Sequence, residues 1–286
     1  MSNLTGISVG NDWDKEIDES VFQNTDYDTI MLKVYWKTIN TAYGVYNWST
    51  LDVNLLNCAK YGKKIIFEIA TGNKSPDFIY NAPYNVPKLT FQEFKNASNP
   101  VPPLKTFEVP LFTDAAYKTL FEEFLVAFNE HLQAIQYAAP LDVYNLFWRL
   151  SVSGVNETTA EFRINSQVEL TADGVTSTNA TNIWTSAGVG CQEVLDSFKY
   201  FYGVITNIFP KQNTAVYFLT GGFPPLAGGL NIQTETVNWI KNEGIENCAF
   251  IYTSVNVGAN GGSLFSYIKS VGLAYGGEMN SRVYEF

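Results

Sequence analysis

The sequence predicts an α/β fold, a (β/α)8 barrel of the TIM type formed by a single domain over residues 1–286, with long loops after the third and fourth strands. Three observations predict it. Short apolar runs of strand character alternate with segments of helical period along the chain, the pattern of a parallel sheet wrapped by helices. The long insertions follow strands, as loops that build a site do. A strand at 146–153 runs directly into a loop carrying two carboxylates, Glu157 and Glu161, and the C-terminal strand ends are where a parallel barrel keeps its chemistry. An open doubly wound sheet is the alternative, but no Gly-rich phosphate loop follows the first strand.

The elements follow in order. Residues 4–10 are a short apolar run ending in glycine, a first strand, and 14–24 a weak helix. In the strand at 29–36, Ile30, Leu32 and Val34 share one face and Met31, Lys33 and Tyr35 the other. Ser49 or Thr50 caps a helix whose Leu51, Leu55 and Ala59 fall at helical spacing, and Gly62 closes it. The third strand is 64–71. The proline- and asparagine-rich stretch 76–110 is an excursion over one face of the domain. A long helix at 114–137, capped by Thr113, carries the stripe Leu120, Phe124, Phe128, Leu132 and Ile135. In the strand at 146–153, Leu146, Trp148, Leu150 and Val152 form an apolar face against Phe147, Arg149, Ser151 and Ser153. A second long loop reaches to about 182. Helices at 186–208, 234–242 and 263–270 then alternate with strands at 214–220, 249–255 and 273–277. Lys33, Glu68 and Arg149 sit mid-strand on the faces opposite the apolar stripes. Adjacent parallel strands are expected to bring them together in a buried network.

Composition narrows the function. With 46% hydrophobic residues the chain can bury a large core, and a net charge of −10 leaves no basic stripe for nucleic acid. Cys58, Cys191 and Cys248 lack metal-ligand spacing, and His131 is the only histidine, so neither a zinc site nor a His-based triad is expected. No cofactor and no metal is called for. There is no signal-peptide pattern and no run of eighteen apolar residues, so a soluble chain off the membrane is expected, in the cytoplasm or as a virion or surface component.

Trp36, Gly44-Val45-Tyr46-Asn47-Trp48, Leu51-Asp52 and Lys63-Lys64-Ile65-Ile66-Phe67 together resemble the second strand, second helix and third strand of clan A glycoside hydrolases, the (β/α)8 enzymes that include β-galactosidases and cellulase-like families. The stretch from Asn73 to Ile79 is similar to a segment after their third strand, with Phe78 in place of a tryptophan. The resemblance covers roughly the first 165 residues. It implies a carbohydrate partner, a sugar-contacting aromatic ending the second strand, a general acid/base Glu in an Asn-Glu pair after the fourth strand, and a nucleophile at the end of the seventh. Asn156-Glu157 lies several residues beyond the expected strand end, so either Glu157 folds back over the barrel mouth, or Glu161 takes the acid role, or neither does. No carboxylate follows the strand at 249–255, and Glu278 ends the last strand.

Glycoside hydrolysis needs one carboxylic acid to protonate the leaving oxygen and a second carboxylate as nucleophile or base. Glu157, Glu161 and Glu278 are the catalytic candidates. Trp13, Lys33, Tyr35, Trp36, Asn156 and Phe223 are the candidates for substrate contact, the aromatics offering flat faces to sugar rings. Two functions stand: a glycosidase acting on a poly- or oligosaccharide, or an inactive barrel serving as a glycan-binding or structural module.

Overall fold

A computed structural model describes residues 8–10, 14–92, 106–138, 143–157, 160–164, 168–170, 176–218, 222–253 and 262–278. Seven strands form one parallel sheet: β1 (Ser8–Gly10), β2 (Thr29–Tyr35), β3 (Lys64–Ala70), β4 (Phe147–Ser151), β5 (Asn213–Phe218), β6 (Cys248–Thr253) and β7 (Ala274–Glu278). Each pairs with its neighbours in chain order, and every pairing is parallel. A doubly wound sheet would reverse direction at a switch point. The order here never reverses, which is the winding of a barrel. The first and last strands are not paired with each other among the described residues.

Two separate apolar layers confirm the curvature. Ile30, Leu32, Val34, Ile65, Phe67, Ile69, Leu150, Val216, Phe218 and Phe250 point outward into the main core, where the helices cover them. Met31, Ile66, Ala215, Tyr217, Ala249 and Ile251, with Trp148 and Ala274 against them, make a second cluster on the other face. A sheet that meets itself on one face and helices on the other is a barrel wall.

The covering helices are α1 (Glu19–Gln23), α2 (Ser49–Tyr61), α3 (Ala115–Ala138), α4 (Cys191–Ile208), α5 (Ile232–Asn242) and α6 (Gly262–Ser270). Gly62 ends α2 in the left-handed conformation at φ 64°, as its position predicts. Leu120, Phe124, Phe128 and Leu132 of α3 are fully or nearly fully buried, with Tyr117, Phe121 and Leu125 widening the stripe.

Several expectations are corrected. Asp114, not Thr113, caps α3: its Oδ1 accepts the Tyr117 amide at 3.1 Å. The helix expected at 186–208 starts at Cys191 as α4, and a separate helix, Ala180–Ser186, precedes it across Gly188 at φ 77°. The excursion after β3 contains an antiparallel hairpin, Lys88–Gln92 with Thr106–Pro110, and the loop after β4 a smaller one, Val168–Leu170 with Thr176–Asn179. The alternation read for 146–153 is broken by an irregularity in the β3–β4 pairing between Ile65 and Ile66. Phe147, Leu150 and Val152 pack outward, while Trp148 joins the inner cluster.

The same irregularity resets the expected charge network. Lys33 lies opposite Glu68, and their charged groups meet at 3.6 Å with the Glu68 side chain almost wholly buried. Arg149 falls opposite Ile66, two residues short of Glu68. Among the described residues no helix is long and apolar enough to cross a membrane.

Candidate active site at the C-terminal rim

Beyond Ser151, the chain leaves the sheet and returns to it. The Val152 amide donates to Ala215 O at 2.8 Å; after an excursion over 153–161, Phe162 N donates to Tyr217 O at 2.8 Å and Ile164 N to Gly222 O at 3.0 Å. The returning segment therefore prolongs the β4 line beside β5. Phe162 packs outward on Phe198 and Phe223, with ring centroids 4.6 and 5.0 Å away. Arg163, one residue on, meets the two carboxylates of the excursion.

Asn156 holds the excursion in shape. Its Oδ1 accepts the Gly154 amide at 2.8 Å and the Thr71 hydroxyl at 3.0 Å, and its Nδ2 donates to Glu161 O at 2.8 Å. The Tyr117 hydroxyl, buried at the start of α3, donates to Gly154 O at 2.9 Å. The loops after β3 and β4 are in direct contact: Asn73 N donates to Glu157 O at 2.8 Å. Gly72, at φ 57°, permits this approach, because a Cβ there would stand 2.0 Å from Glu157 O.

The Arg163 Nε lies 3.6 Å from Glu157 Oε2 and 3.5 Å from Glu161 Oε2, so one guanidinium is shared by two carboxylates. Glu157 is only 9% exposed. It borders a small cavity whose lining includes Val109, Phe112, Tyr117, Ile164 and Trp184. Burial pushes its carboxyl above the usual glutamate range; Arg163 pulls it down and the charge on Glu161 pushes it up again. The arrangement is that of a carboxylic acid able to hold a proton beside one that is more exposed. Glu157 is not solvated at the rim, because Gly72, Tyr117 and the Thr106–Pro110 strand close over it.

Glu278 ends β7, the seventh strand of the sheet, with its backbone beside Thr253. Glu157 follows β4, the fourth. Since all strands are parallel, both follow C-terminal strand ends, and Glu161 and Phe223 do likewise. Trp13 lies outside the described residues.

The other expected contacts fare differently. Trp36 is corrected: it is fully buried, ringed by Tyr117, Phe121 and Phe124 at 5.0–5.8 Å, with its indole N–H donating to Asn40 Oδ1 at 3.2 Å. It begins a helical turn, Trp36–Ile39, which turns the ring away from the mouth and into the outer core. Lys33 is inside the barrel wall, committed to Glu68. The Tyr35 ring lies under the Lys74 ammonium at 4.6 Å. Phe223 is half-buried behind the returning segment.

Sequence reasoning missed Arg163 and Asp14. Asp14, beyond β1 and at φ 57°, accepts the Tyr35 amide and the Thr38 hydroxyl, both at 2.8 Å, and burial raises its pKa against those bonds. Arg163 had a sequence signal, a cation two residues past Glu161. Asp14 had none, for its partners lie across the chain turn between β1 and β2. Among the described residues no three His, Cys, Asp or Glu side chains are grouped to hold a metal.

No family model and no curated protein matches the chain. Among solved structures it is similar to an intracellular xylanase from Thermoanaerobacterium saccharolyticum in complex with xylotriose (11% identity, 92% of this chain and 71% of that one, TM-score 0.45). It is also similar to xylanase 10B from Thermotoga petrophila in complex with xylobiose (12%, 94% and 67%, TM-score 0.45) and to a GH10 endoxylanase from a sugarcane soil metagenome (9%, 98% and 68%, TM-score 0.47). With every TM-score below 0.5, the assignment of the fold rests on the unreversed parallel strand order and the two core layers.

Proposed function

We propose that the chain acts on a poly- or oligosaccharide as a glycoside hydrolase, with Glu157 as general acid and Glu278 as nucleophile or base. The observation that carries the reading is the buried Glu157 carboxyl, raised in pKa, following Asn156 after the fourth strand. A carboxyl whose pKa is raised holds its proton to higher pH than an ordinary glutamate and can give it to the glycosidic oxygen as the C–O bond breaks. The second carboxylate then takes the anomeric carbon directly, or takes a proton from the water that does. A separation of about 5–5.5 Å between the two carboxyl groups gives retention and about 6.5–9.5 Å inversion. Arg163 and Glu161 flank the acid and set its charge balance, and the Asn156 side chain fixes the loop that presents it.

The test is a panel of aryl glycosides and soluble polysaccharides, β-1,4-xylan among them, read by released phenol and reducing ends. Glu157→Gln and Glu278→Gln should each lower turnover by about 10²–10⁴-fold, the effect of a positioned acid–base group. Glu161→Gln should have a small effect. Hydrolysis unchanged in Glu157→Gln would overturn the assignment of the acid.

The shared guanidinium favours a second reading, a glycan-binding or structural barrel, because two carboxylates latched to Arg163 also suit a loop clasp. That reading expects no hydrolysis anywhere in the panel by the wild-type protein, together with retarded migration in a polysaccharide gel.

A further inference from the structure

At the opposite end of the barrel, Arg149 stands third in β4, opposite Ile66 of β3 and Asn213, the first residue of β5. These are low positions in their strands, away from the rim that carries Glu157. Arg149 is 6% exposed, and its Nε is buried with no hydrogen-bond partner among the described residues. No carboxylate of the described residues pairs with it; Glu68 is held by Lys33 one inward level higher. A guanidinium cannot shed its proton. Its charge must therefore be offset where it stands, since a buried ion without a partner is strongly destabilising.

The protein groups around it offset only part of that charge. The Trp148 ring lies 4.9 Å from the guanidinium carbon, a cation–π contact. Cys248 is near enough to feel the Arg149 charge, but burial pushes its thiol up to about 12, so it supplies no negative charge at neutral pH. A second cation, the Lys64 ammonium, lies 5.7 Å from the same indole and, among the described residues, has only the distant Asp28, at 3.9 Å, as an acidic partner. The inward positions on β5, β6 and β7 one level above are Ala215, Ala249 and Ala274. An ordinary barrel layer is filled there by branched side chains. Two cations share one indole, next to a wall of alanines that supplies no charge of its own.

We propose that the lower end of the barrel is an anion site, in which Arg149 and Lys64 hold a small oxyanion of the phosphate or carboxylate type beside Trp148. Arg149 supplies the planar donor pair that matches such an anion, and Lys64, exposed at its edge, the second charge. Trp148, which both cations approach, is itself half-buried.

The test is thermal unfolding of the full chain in inorganic phosphate, and separately in acetate, against chloride at equal ionic strength. For the wild type, the midpoint should rise with anion concentration and saturate, as binding to the folded state requires. Phosphate active and acetate silent assigns a phosphate-type ligand; the reverse assigns a carboxylate. Arg149→Met should remove the response while remaining at least as stable as wild type in anion-free buffer, since it deletes an uncompensated charge. Lys64→Ala, at an exposed position, should weaken the response about tenfold in the midpoint concentration, one charged contact's worth. If Arg149→Met does not fold, Lys64→Ala and phosphorus NMR line broadening on the wild type decide the matter. A wild-type midpoint that moves no more in either anion than in chloride overturns the site, as does an equal response in Arg149→Met or Lys64→Ala.

Discussion

Glu157 is a carboxyl taken out of water by neighbours that only partly replace it. Burial raises its pKa above the ordinary glutamate value, with Arg163 opposing. The sign of the pH effect follows. Between the unfolded value and the raised folded value, the folded chain binds more protons than the unfolded one, so this group's contribution to stability is fullest below its unfolded pKa and is lost as pH rises through the folded pKa. Glu157→Gln removes that dependence. Its unfolding midpoint at neutral pH should equal or exceed that of wild type, with the difference shrinking toward the acidic end of the glutamate range. A parallel pair of midpoint-against-pH curves would contradict a raised Glu157. Trp36 makes the complementary point at the same scale. An aromatic just past a strand end reads as a sugar platform, yet a single helical turn sends it into the core among Tyr117, Phe121 and Phe124.

At the scale of elements, two loops and two helices are clamped by single residues. Gly72 lets the loop after β3 lie against the Glu157 main chain. Gly72→Ala adds both a left-handed strain of about 1–3 kcal/mol and a Cβ with no room. The expected result is a lower unfolding midpoint together with reduced hydrolysis, since the displaced atom belongs to the acid itself; an alanine variant with wild-type midpoint and activity would deny the contact. The only histidine clamps α2 to α3. His131 Nε2 meets Asp52 Oδ1 at 2.7 Å, and the ring stacks on Trp48 with centroids 4.3 Å apart. The helical setting of His131 was legible in the sequence; its partner 79 residues away was not.

At the scale of the whole molecule, the barrel wall encloses charge as well as apolar side chains. Lys33 and Glu68 face each other across β2 and β3, and Glu68 is 3% exposed. Breaking a buried pair by removing one partner is strongly destabilising, so Glu68→Gln should destabilise the chain by about 3–5 kcal/mol. Chemical denaturation measures this, and a change below about 1 kcal/mol would mean that water, not Glu68, solvates Lys33.

The sequence by itself determined the strands and their order of alternation with helices, the faces of β2 and β3, the α2 stop at Gly62 and the stripe of α3. These are local: a period of two or 3.6 residues and a glycine at a helix end are decided by the chain's own geometry. It also placed Glu157 and Glu161 beyond the C-terminal end of a strand and Glu278 at the end of one, because order along a parallel sheet fixes the end of each strand. Only the tertiary structure decided what those residues meet. The β3–β4 irregularity set Arg149 opposite Ile66, two residues short of Glu68, the return of the chain at Phe162 brought Arg163 between Glu157 and Glu161, and the close approach at Gly72 buried one of them. Register, burial and ion pairing are set by strands and loops distant in sequence packing at fixed separations, and no local pattern carries that information.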